Sequence, residues 1–225
     1  MHTRSFEPGT QATIQTNIYE EVKRRFAAID DLAHGWEHVQ RTYTLALSLA
    51  EQEKADSFIV GVAALMHDLG RTVYDTSKHH AETSVILAKE ILDSQSVPPD
   101  IQQAIFHAIE THSFSRNIEP RTLEARVVRD ADRLDGLGAT GIIRWAITGT
   151  IRRTPQTLTY HHDDPFAEHH KPDDTLYMLD HFYTKLLKLS DTMATATGRE
   201  LARHRTEFMQ TFLSELREEL RSSNI

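Results

Sequence analysis

At 225 residues the chain fits one domain, or one domain with an extension, and its 39% hydrophobic content is adequate for a core. It contains no cysteine, which excludes disulfides, thiolate metal sites and a cysteine nucleophile, and fits a cytoplasmic protein. A formal net charge of −8 argues against non-specific binding to nucleic acid or a membrane surface, although a metal or a few arginines can still reverse the field locally for an anionic substrate. The longest uncharged apolar run, Phe58 to Met66, is far short of the roughly 20 residues of a spanning helix, and Met1 to Pro8 lacks the apolar core of a secretory signal.

Nearly every segment reads as helix. Ile14, Ile18, Val22 and Phe26 share one helical face and predict a helix from about Thr13 to Ile29. Asp30 to Trp36 is a break. The next helix holds His38, Val39, Tyr43, Leu45, Ala46, Leu49 and Ala50. Asp56 or Ser57 can cap the helix that ends at His67-Asp68, with Gly70 expected in the left-handed conformation that closes a helix. Ser77 can cap a helix from His79 to Asp93. Pro98-Pro99-Asp100 starts another, which runs into His112. Thr122 opens a helix over Leu123 to Leu137, and Gly136, Gly138 and Gly141 break or kink the path before a helix over Ile142 to Ile151.

Arg153 to Thr175 is the one long irregular stretch, with three prolines and the pairs His161-His162 and His169-His170, read as solvated. The last two helices are expected from Leu176 to about Ala194 and from Thr197 to Leu220. Thr197-x-x-Glu200 reads as a capping box, and Leu201, Phe208, Phe212, Leu216 and Leu220 form an amphipathic stripe suited to a core or a dimer seam.

His38, then His67-Asp68, then Asp132 are ligand-type residues on three otherwise apolar helices. Buried alone, such groups cost several kcal/mol. Converging from one bundle, two imidazoles and two carboxylates suit a divalent ion, with Mn²⁺ first and Mg²⁺, Fe²⁺, Co²⁺ or Ni²⁺ as alternatives.

The order His38 … His67-Asp68 … Asp132 resembles the H…HD…D signature of the HD-domain metal-dependent phosphohydrolase superfamily. His34-Gly35-x-x-His38-Val39-x-Arg41, Ala64-Leu65-x-His67-Asp68-Leu69-Gly70-Arg71 and Arg129-Asp130-Ala131-Asp132-Arg133-Leu134-Asp135 match the settings of its ligands, over about residues 20 to 150. His181-Phe182-Tyr183-x-Lys185, with Thr197-Gly198-Arg199, resembles small bacterial HD hydrolases, some of which cleave nucleoside triphosphates. The resemblance implies an all-α fold, here one HD-type domain over 1–225 with a C-terminal helical extension, and His38, His67, Asp68 and Asp132 as metal ligands.

On that resemblance, Asp68 and Asp135 are candidates for the catalytic step, and Arg41, Arg71, His80, His112, Arg133 and Lys185 for substrate binding. Lys185, one turn after His181 on the expected helix, is a candidate phosphate contact. His80 and His112 sit where members with two metals carry extra histidines. His34 is either an orienting residue or a helix-start residue. The sequence departs from the alarmone-hydrolase branch, which carries a glutamate soon after the HD pair. Here no acid follows until Asp75, so the general base is left open.

The implied activity is hydrolysis of a nucleotide, with (deoxy)nucleoside triphosphates cleaved to monophosphate and pyrophosphate. The alternatives are an HD phosphatase or phosphodiesterase on another phosphoester, or a non-catalytic nucleotide-binding module. The expected partner is a small phosphorylated molecule, with no nucleic acid or membrane, and the chain suits a homo-oligomer.

Overall fold

The computed structural model describes residues 7–73 and 77–222. They are helical, and the described residues contain no strand beyond one isolated bridge between Leu158 and Tyr177. No helix among them is long and apolar enough to cross a membrane. The chain divides into two compact units, Met1–Asp132 and Arg133–Ile225.

The first unit holds α1 (Pro8–Phe26), α2 (Trp36–Glu53), α3 (Ser57–Met66), α4 (His80–Ser94), α5 (Pro99–Thr111) and most of α6 (Leu123–Asp135). Its centre is α3, which packs against α1, α2 and α5. The sequence dictates this place. SFIVGVAALM is apolar on every side, so no face of α3 can be left in water. Asp56 starts the helix as expected, accepting from the amides of Phe58 and Ile59 at 2.9 and 3.0 Å. A side chain at Gly61 would run into Gln15 of α1 and Tyr43 and Leu47 of α2, so glycine lets both helices close on α3. The stripe Ile14, Ile18, Val22 and Phe26 of α1 is buried as its spacing predicts.

The C-terminal end of α3 differs from expectation. Gly70 does not take a left-handed conformation; it lies in a 3₁₀ turn over Leu69–Thr72. The reason for glycine is a close approach: a Cβ would strike the His80 carbonyl oxygen and come within 2.9 Å of Ser84 N. The Gly70 amide donates to Ser84 Oγ at 2.8 Å, locking this turn to the start of α4. Nor does Ser77 cap α4. The N-cap is His79, whose Nδ1 accepts from Ala81 N at 3.2 Å. Thr122 does open α6, accepting from Ala125 N.

In the second unit α7 (Gly138–Arg152) packs on α9 (Ala196–Ser222). Gly138 has φ +70, and a Cβ on Gly141 would strike the Gly136 backbone, so the glycines permit the tight bend between α6 and α7. The helix expected from Leu176 to Ala194 is instead a series of single turns around the four-residue α8 (His181–Thr184). Carbonyls that a continuous helix needs are taken by side chains: Trp145 Nε1 donates to Met178 O at 2.7 Å and Arg133 Nη1 to Thr192 O at 2.9 Å.

The α9 cap is Thr195, accepting from Gly198 N, rather than Thr197. The buried stripe of α9 is Ala202, Thr206, Met209 and Leu213, one residue round from the predicted face, and Phe208 is half exposed.

Residues 153–175 are irregular, as expected, but not simply solvated. His170 lies between two carboxylates, with Nδ1 2.8 Å from Asp164 and Nε2 2.8 Å from the buried Asp180, and its ring stacks on His161. His162 and His169 are exposed.

Gly70→Ala is expected to cost roughly 1–3 kcal/mol, because the methyl has no room against the α4 backbone. Urea unfolding of the variant beside wild type measures it; an unchanged midpoint would contradict the close-approach account.

Candidate metal centre

The N-terminal unit brings His38, His67, Asp68 and Asp132 together from α2, the end of α3 and α6. His38 Nε2 lies 3.2 Å from His67 Nε2 and 3.4 Å from Asp132 Oδ1. Asp68 Oδ2 lies 3.8 and 3.7 Å from the same two nitrogens, and His67 Nε2 is 3.9 Å from Asp132 Oδ1. Ligand atoms bound at about 2.1 Å to one ion lie roughly 3–4 Å from one another, which is the spacing seen.

The local backbone explains the arrangement. His67 is the last residue with helical dihedrals, and Asp68, at φ −104 and ψ 13, turns the chain away. His67 Nδ1 faces the Ala64 carbonyl at 2.7 Å. That nitrogen must donate, so Nε2 presents a lone pair to the centre. Burial holds His67 neutral, with its pKa lowered to about 4. Burial would raise the Asp68 carboxyl, but Arg71 and His67 outweigh it and hold it well below the ordinary range. Asp132 is likewise lowered, by His38 and His67 against burial. A metal ion needs ligands in these states, neutral imidazole and ionised carboxylate.

A second group adjoins the first. Asp68 Oδ1, which makes no hydrogen bond among the described residues, faces His80 Nε2 at 3.4 Å and His112 Nε2 at 3.7 Å. His112 Nδ1 is occupied by the Ile109 carbonyl, so its Nε2 also points inward. His38, His67 and Asp132, and separately His67, Asp68 and His112, are each close enough to hold an ion. A buried carboxylate oxygen facing two imidazoles is a donor set that a cation fits.

The other candidates are placed as follows. Arg71 Nε lies 2.7 Å from Asp68 Oδ2, so it backs the carboxylate. Arg41 is at the surface, 4.0 Å from Glu37. His34 pairs with Asp31 through Nδ1 at 3.1 Å and stands edge-on to His38, with 6.1 Å between ring centres. Asp75 lies outside the described residues.

Asp135, Arg133 and Lys185 belong to the C-terminal unit. There Asp135 pairs with Arg144 at 3.2 Å. The Lys185 amide donates to the His181 carbonyl at 3.1 Å, one turn on as the spacing predicts, and α8 ends there, with Lys185 at φ −137 and ψ −60. Sequence reasoning missed Ser84, the Arg71–Asp68 pair and the capping role of His79. Only the last had a signal, a polar residue directly before an apolar-periodic run.

The four candidate ligands at the end of an apolar helix, within an all-helical fold, lie inside the segment that the family model for the HD domain matches, residues 35–137. The chain belongs to this family. It is 34% identical over 194 residues to the uncharacterized protein YpgQ of Bacillus subtilis, spanning 83% of this chain and 84% of YpgQ. The crystal structure of YpgQ in complex with ADP superposes with a TM-score of 0.72 at 30% identity, covering 93% of this chain and 96% of that one. An HD-superfamily hydrolase from Bacillus thuringiensis gives 0.72 at 29% identity, covering 93% and 97%.

The imidazoles set a pH dependence for the metal-free protein. His67 and His80 are lowered by burial, to about 4 and about 3, from 6.5. Below pH 6.5 the unfolded chain binds protons there that the native state refuses, so stability falls as pH drops. His112 runs the other way: burial would lower it, but the Asp68 and Asp132 carboxylates leave it raised, so its contribution is lost as pH rises. Burial also lowers His79, His107 and His181, while Asp180 and Asp164 raise His170; with the lowered imidazoles in the majority, the urea midpoint is expected to fall from pH 7 to pH 5, and less steeply in His80→Gln. A flat or rising profile would refute this balance.

Proposed function

We propose that the chain is a metal-dependent phosphohydrolase that cleaves (deoxy)nucleoside triphosphates to a monophosphate and pyrophosphate. The observation that carries it is the gathering of His38, His67, Asp68 and Asp132, each imidazole nitrogen within 3.2–3.9 Å of the other and of both carboxylates, with burial holding His67 neutral and neighbouring charges keeping Asp68 and Asp132 ionised. A divalent ion bound there would activate water and polarise a phosphoryl oxygen. Asp68 is backed by Arg71, and in this reading the Arg71 guanidinium, whose fork suits phosphate oxygens, also serves as a substrate contact beside the centre.

The divided carboxylate supports a two-ion reading, with Oδ2 turned to His38 and His67 and Oδ1 to His80 and His112. The nucleotide class is supported by the ADP complex of YpgQ. Cleavage between the α- and β-phosphorus, Mn²⁺ as the native ion and Lys185 as a phosphate contact rest on the family resemblance. Asp135 and Arg133 have structural partners, Arg144 and the Thr192 carbonyl, and in this reading they shape the C-terminal unit rather than take a proton.

Asp68→Ala is expected to lose bound metal, read by elemental analysis, together with hydrolysis; a variant that kept both would end the proposal. The scissile bond is read by incubating dATP or dGTP with enzyme and Mn²⁺ in ¹⁸O-labelled water. Label in the monophosphate with unlabelled pyrophosphate is the expected result. Orthophosphate release, or activity confined to monophosphates, would mean another HD phosphatase reaction. Lys185→Ala is expected to raise KM or lower kcat with metal content intact, and wild-type kinetics would leave that residue a structural part alone.

A further inference from the structure

One imidazole beside the centre is not used by the proposed reaction. His79 precedes His80 and caps α4 through Nδ1, which accepts from Ala81 N at 3.2 Å. A ring nitrogen that accepts carries no proton, so the hydrogen of the neutral ring is on Nε2. That N–H donates to Ser115 Oγ at 2.9 Å. Ser115 Oγ is in turn 3.2 Å from Ser113 Oγ, and Ser113 is buried directly after His112. The rings of His79 and His80 are 4.1 Å apart, and those of His80 and His112 are 5.5 Å apart.

The bonds from Ala81 through His79 to Ser115 and Ser113 therefore tie the first turn of α4 to the loop leaving α5. They do so where each element supplies one imidazole to Asp68 Oδ1. His80 is the first residue of its helix, where backbone amides lack partners within the helix and ends fray unless capped. Arg116 Nη1, 2.9 Å from Glu82, joins the same loop to the same helix. Loss of the His79–Ser115 bond would thus loosen the spacing without releasing the loop.

We propose that His79 is a positioning residue that holds His80 and His112 at the separation a second divalent ion requires. This rests on the two-ion reading above. The step is one of geometry: no proton or bond changes hands, and His79 touches neither ion nor substrate.

The test is titration of Mn²⁺ into metal-stripped wild type, His79→Asn, Ser115→Ala and the double variant, followed by calorimetry and by Mn²⁺ electron paramagnetic resonance. Asparagine keeps a capping oxygen for the Ala81 amide but is too short to reach Ser115. Wild type is expected to take two ions. Each single variant should bind the first as wild type does and the second about 10–100-fold more weakly, with the double variant no worse than either. Equal second-ion affinity in all four proteins would overturn the proposal. So would equal weakening of both ions, which marks a general loss of structure. If wild type takes one ion only, the two-ion reading fails and this proposal with it. If first-ion binding is absent from wild type, it is the metal-centre reading that has failed.

Discussion

Two imidazole nitrogens and two carboxylate oxygens gather at the end of the most apolar helix among the described residues, each nitrogen within 3.2–3.9 Å of the other and of both oxygens. Left to themselves they repel, and burial takes away the water that would relieve them. The surroundings are arranged to hold them anyway. The Ala64 and Ile109 carbonyls fix the rings of His67 and His112, and Arg71 offsets the charge on Asp68. Packing of α3 against α1, α2 and α5 leaves His67 no other place to go. Fold energy thus holds a candidate centre of unfavourable contacts, and a cation that bound there to the native state alone would stabilise the fold in return.

The apolar faces and the candidate ligands were legible because they are periodic and local. The α1 stripe Ile14, Ile18, Val22 and Phe26 lies inside, Asp56 caps α3, and His38, His67, Asp68 and Asp132 converge. What was not legible depends on contacts distant in sequence. Gly70 looks like a helix stop, yet it is needed because the backbone of α4 passes too near for a side chain. The periodic run after Leu176 looks like helix, yet Trp145 and Arg133 claim its carbonyls from outside. The α9 stripe is rotated by one residue because Ala202 and Met209 pack where the larger Phe208 was expected. The histidines near 161–170 looked solvated because nothing in their spacing announces that buried Asp180 waits for His170.

The backbone at Asp68 links fold and centre. A histidine and an aspartate in succession on a continuing helix would point about 100° apart and could not share an ion. Here the helix ends between them. His67 keeps helical dihedrals, while Asp68 sits at φ −104 and ψ 13, in the sparsely populated bridge region where active-site residues are often found. One carboxylate can then turn Oδ2 towards the ring of its own neighbour and Oδ1 towards the rings of α4 and α5. The chain cannot continue upward as a helix after this, so it leaves in a tight turn. Gly70 presses that turn on α4, with Ser84 Oγ receiving its amide. The same contact that ends α3 therefore fixes where α4 begins, and with it the place of His80. A change that loosens the Gly70–Ser84 contact acts on stability and on ligand geometry together, because both depend on the same few ångströms of backbone.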